Sequence, residues 1–119
     1  MFNALALILF LQAELGPPDV VKHGQEVANL WQGCAQYEAG KYASLDDNAE
    51  TIADVAMSKC APFETLLKAD VEKLTINAAG QKFDDEHAQA LVSQVRARAR
   101  NAAVARVLDE RLKRAKGTK

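Results

Sequence analysis

Apolar residues in this chain recur at spacings of three and four almost from end to end, and no stretch alternates in the two-residue rhythm of a strand. A sequence with that single period can bury its apolar side only as helices packed on helices. The predicted fold class is therefore all-α. The apolar fraction is 49% but the aromatic fraction is only 6%, and alanine fills many apolar positions. Alanine has the highest helix propensity, so the composition reinforces the period. The chain of 119 residues has room for one domain.

Three helical segments are expected. Pro17-Pro18-Asp19 suits a helix start, with proline in the first turn and an acid at the positive end of the dipole. The first segment runs over about 19–42, with Val20, Val27, Leu30, Trp31, Cys34 and Tyr37 as its apolar stripe. Gly40 and the Ser44–Asp47 stretch end it and start the second. Ser44 and Asp47 stand at capping-box spacing, with Asp46 and Asp47 as competing caps. The second stripe holds Ile52, Val55, Ala56, Cys60, Phe63, Leu66, Leu67, Val71 and Leu74. Pro62 interrupts it, so a kink or a short restart is expected there, with the kink ahead because the stripe stays in phase. Gly80 is the expected terminator of that segment. Asp84 or Asp85 caps the third segment, over about 85–115.

Residues 1–13, MFNALALILFLQA, read as a signal peptide. The apolar run from Leu5 to Leu11 fits a secretory h-region and is much shorter than a membrane span. No Lys or Arg precedes it, and Leu11 occupies a position where small residues are preferred. Residues 14–119 then form a single exported helical domain with a basic C-terminal helix. The two cysteines, Cys34 and Cys60, show neither CxxC nor metal-ligand spacing. In an oxidising compartment they are expected to form a disulfide. It would staple the first two segments as an antiparallel hairpin, leaving the long third helix outside the staple.

Charge is unevenly placed. From residue 96 onward nine Lys or Arg face only Asp109 and Glu110, whereas residues 1–95 carry six basic and fourteen acidic residues. The tail either matches the acidic body within the chain or meets an anionic partner. The third segment also changes its apolar side. Ala88, Leu91, Val92, Val95, Ala99 and Ala102 form one stripe, and beyond about residue 103 Val104, Ala105, Leu108, Leu112 and Ala115 gather on roughly the opposite face. The helix can break near Asn101 and fold back. It can project and bury Leu108 and Leu112 in a second copy, or lie on an anionic membrane surface. It can also contact the first helix from another side. The expected partner-binding residues are Val104, Leu108, Leu112, Arg111 and Arg114, with a protein partner or homo-oligomer ahead of an anionic membrane surface.

No catalytic constellation stands out, so no enzyme, cofactor, metal or small-molecule substrate is expected. His23 and Glu26 at i, i+3 are one pair, which does not make a metal site. Asp84, Asp85 and His87 read as a helix start, and Glu50 with Asp54 as a solvated face. There is no P-loop, HExxH or dinucleotide fingerprint and no nucleophile elbow. Arg96, Arg100, Arg111 and Arg114 could contact phosphates, but the segment lacks stacking aromatics, so nucleic acid is not expected.

Trp31-x-x-Cys34, Glu50-Thr51, Asp54-x-Ala56 and Cys60 together resemble small exported two-cysteine helical proteins of Gram-negative bacteria, of alphaproteobacterial type. The resemblance spans roughly residues 27–67. It implies a periplasmic setting and a cysteine-stapled helical core, and no catalytic residues. A thinner similarity is to periplasmic acid-stress chaperones, which are small, helical and singly disulfide-bonded. The cysteine spacing and the long basic helix depart from that pattern.

Overall fold

A computed structural model describes residues 18–74, 81–82 and 84–117. The signal peptide expected at 1–13 and the terminator expected at Gly80 lie outside the described residues. The chain is all-α. Among the described residues the helices are α1 (Pro18–Tyr42), α2 (Ala49–Lys59), α3 (Ala61–Val71) and α4 (Asp85–Gly117).

The expected second segment is two helices rather than one kinked one. Cys60 leaves helical geometry at φ -100°, ψ 12°, and α3 restarts at Ala61 with Pro62 in its first turn. The physical reason is that a first turn has no intrahelical acceptor for its N–H groups, so a missing N–H costs nothing there. A Pro62 inside a continuous helix would have deleted a bond. Backbone contacts still bridge the break: the Cys60 N–H donates to the Ala56 and Met57 carbonyls, and the Phe63 N–H to the Cys60 carbonyl, all at 3.1 Å. The cap of α2 also differs from expectation. Asn48, not Ser44, Asp46 or Asp47, accepts the Thr51 N–H at 2.8 Å. At α4 the expected cap is present, with Asp84 Oδ1 accepting the His87 N–H at 2.8 Å.

The buried face of α1 is made of Val21, Val27, Ala28, Trp31, Ala35 and Ala39, with Ala43 following in the turn. Leu30 and Tyr37, expected on the stripe, are 57% and 64% exposed. Ala53, Ala56, Ala99 and Ala103 belong to the same buried core as Ala35 and Ala39. Helix axes approach as closely as the side chains between them permit; alanine makes up much of this core, with Trp31, Ile52 and Leu67 as its largest members.

α4 is one unbroken helix of 33 residues, about 50 Å long at 1.5 Å per residue, in a molecule 62 Å along its major axis. It does not break near Asn101. Its buried line is Val92, Val95, Ala99, Ala103 and Val107. Each four-residue step turns a residue 400°, so such a line advances about 40° per step around the helix. Val107, fully buried, continues the line, while Leu108 and Leu112, about 100–140° further round the helix, form a separate exposed face.

Three long-range links set the order of the helices. His23 Nδ1 lies 2.7 Å from Oδ2 of the buried Asp70, tying the start of α1 to the end of α3. Cys34 and Cys60 lie at disulfide distance, 2.08 Å between sulfurs and 6.0 Å between Cα atoms. α4 packs on α1 more extensively than any other pair of helices does. It runs in the same direction as α1, with the Arg106 guanidinium against Gly40 and Arg111 at the turn after α1.

Candidate docking surface at the end of α4

The expected partner-binding residues separate into three groups. Val104 is half-buried and packs on the core. Arg111 serves the chain's own turn: its Nε donates to the Ala43 carbonyl at 3.0 Å, and one Nη donates to the Leu45 carbonyl at 2.7 Å and to the Asp47 carbonyl. These carbonyls follow the end of α1 and lack helical partners, so a guanidinium with several fixed donors caps them efficiently. Leu108 and Leu112 are each 55% exposed, and Arg114 is exposed. Residues 112–117 are all exposed. Leu45, in the turn that Arg111 holds, is 50% exposed and adds a third leucine to that end of the molecule.

The basic character of α4 is partly matched within the chain. Arg96 grips Glu64 with two hydrogen bonds, one of them Nε to Oε1 at 3.2 Å. That guanidinium, helped by Lys68, holds the Glu64 carboxyl below the usual carboxylate range even though burial pushes it up. Arg100 Nε donates to Asp54 at 2.8 Å. Arg106 pairs with Glu110 at 2.9 Å and Lys113 with Asp109 at 3.1 Å, both one turn apart on α4. Arg111 is taken up by carbonyls. Arg114 and Lys116 make no ion pair among the described residues. The sequence places no acid after Glu110, whereas Arg111, Lys113, Arg114, Lys116 and Lys119 follow it.

The residues weighed for chemistry have structural partners. His23 faces Asp70 and not a metal-ligating set, and no group of three or more His, Cys, Asp or Glu that could hold a metal is found among the described residues. The Asp84 carboxylate caps α4 and contacts His87 Nδ1 at 2.7 Å, which holds it below its ordinary range. Asp54, of the Glu50–Asp54 pair, accepts from Arg100. A cleft of about 460 Å³ lies between the end of α3 and the start of α4. Of its two cations, Lys68 and Arg96, each is already bound to Glu64.

Sequence reasoning missed Val107, Leu45 and the capping role of Arg111. The four-residue spacing from Val95 through Ala99 and Ala103 carries a signal for Val107. Nothing in the sequence marks a guanidinium that will meet backbone carbonyls more than sixty residues away. No described helix is long and apolar enough to cross a membrane. Comparison with protein-family models, with curated proteins and with solved structures finds no match to this chain.

Proposed function

We propose that this is a non-catalytic, exported helical protein that works by docking another protein through the C-terminal end of α4. In this reading the Cys34–Cys60 pair staples α1 to the α2–α3 arm as an antiparallel scaffold, and the end of α4 is the working part. The observation that carries it is the pair Leu108 and Leu112, one turn apart and each 55% exposed just beyond the end of the buried line of α4. Two large aliphatic side chains left side by side in water are a cost that docking recovers. The oxidised cysteine pair is in keeping with an extracytoplasmic setting. A photo-crosslinking amino acid in place of Leu112, with one in place of Glu26 as control, tests the reading in cells. Adducts at 112 and not at 26 are expected; no adduct at 112 refutes docking at this end.

A second reading has its own support. The run of basic residues after Glu110 suits an anionic membrane surface, where each adds about 1 kcal/mol of attraction. Co-sedimentation with phosphatidylglycerol vesicles, lost at high salt and absent with neutral vesicles, would favour it over a protein partner.

A further inference from the structure

We infer that the occupant of the α4 docking surface is a second copy of this chain, joined end to end about a two-fold axis; the inference rests on the docking reading above. One end of the molecule presents both halves of a complementary surface. The turn after α1 exposes Leu45 with Asp46 and Asp47, whose carboxylates make no ion pair among the described residues. Immediately beside it, fixed by the Arg111 hydrogen bonds to that same turn, α4 continues with Leu108, Leu112, Arg114 and Lys116 exposed. An end that carries exposed leucines with acids on its turn and bases on its tail is self-complementary under a two-fold rotation: the turn of one copy faces the tail of the other, twice. Two tails meeting without the turns would oppose like charges. The acidic turn removes that repulsion, and each copy contributes three leucines to the shared apolar centre.

The test uses the full chain and two charge-reversed variants. Asp46→Lys/Asp47→Lys makes turn and tail both basic; Arg114→Glu/Lys116→Glu makes both acidic. Sedimentation equilibrium of the wild type is expected to give a dimer that weakens at least about tenfold when salt rises from about 0.05 to 0.5 M, as screening shortens the reach of the charges. Each variant alone is expected to be a monomer, and an equimolar mixture is expected to form the heterodimer, in which both turn–tail contacts are again opposite in sign. Heterodimer formation also shows that both variants are folded. A monomeric wild type, or dimerisation indifferent to both reversals, overturns the inference. The crosslink at position 112 separates it from the parent reading. An adduct of twice the chain mass supports the second copy. An adduct of any other mass, to protein or to lipid, overturns it, and an adduct to another protein leaves protein docking standing. No adduct removes both.

Discussion

Breaking the Cys34–Cys60 pair should cost this domain a large fraction of its stability. The two residues are separated by 26 positions. Closing a loop of that size removes about 12 cal/mol/K of entropy from the unfolded chain, or about 3.5 kcal/mol at 25 °C. A domain of about 100 residues has a total stability of about 5–15 kcal/mol, so the link supplies between a quarter and two thirds of it. At about 4–8 °C per kcal/mol for a domain of this size, the melting temperature should fall by about 14–28 °C. Two perturbations separate the causes. Reduction of the wild type removes the cross-link and keeps both sulfurs. Cys34→Ala/Cys60→Ala also empties the fully buried site of Cys60, which adds about 1 kcal/mol for the cavity. Thermal unfolding followed by circular dichroism, with and without reductant, reads both. A drop below about 5 °C on reduction would refute the argument, because it would mean that the unfolded chain is already restricted without the link.

Three further predictions rest on local geometry. A Cβ at Gly33 meets nothing within 4 Å, whereas one at Gly40 would lie 3.0–3.2 Å from the Arg106 guanidinium. Gly33→Ala should therefore gain the full helix-propensity difference of about 0.8–1 kcal/mol, and Gly40→Ala clearly less, since it disturbs the Arg106–Glu110 pair; urea unfolding compares them. Glu64 titrates below the ordinary glutamate value in the folded state because of Arg96. Its contribution is present above about pH 4.3 and is lost as pH falls through the lower folded value, so the destabilisation caused by Glu64→Gln should be full at pH 7 and shrink progressively as the pH is lowered below the ordinary glutamate range in urea titrations. His23→Ala removes the hydrogen-bond partner of a buried carboxylate, Asp70, and should cost about 1–3 kcal/mol although His23 itself is 60% exposed; a loss under about 0.5 kcal/mol would mean that Asp70 finds another donor.

The helical class and the capping role of Asp84 were legible because each depends on local spacing, and the pairing of Cys34 with Cys60 because the chain has two cysteines and neither has metal-ligand or CxxC spacing. What was not legible depends on how helices meet. Leu30 and Tyr37 look like core by hydrophobicity, yet the closest helix contacts select Ala35 and Ala39, whose small size no hydropathy pattern rewards. The buried line on α4 winds because the helix keeps its partner while each four-residue step over-rotates, so a fixed stripe drawn at Ala102 misses Ala103 and Val107. At the other end, Leu108 and Leu112 were identified as an apolar face without a core partner, and they are exposed. Asn48 is the cap because α2 starts at Ala49, directly after it, and the turn before it is held by Arg111 through contacts spanning 64–68 positions.

That Arg111 clamp has a consequence for the order in which the molecule can be completed. α1 packs on α4 more extensively than on α2 or on α3, and the turn that ends α1 has its carbonyls satisfied by Arg111, late in the sequence. During synthesis the first two thirds of the polypeptide therefore emerge without the helix that covers them or the side chain that closes their turn. Closing that turn has to wait for Arg111. A truncation just before Arg111 would remove few core contacts and still leave the first corner of the structure open, so the end of the chain acts as the latch on its beginning.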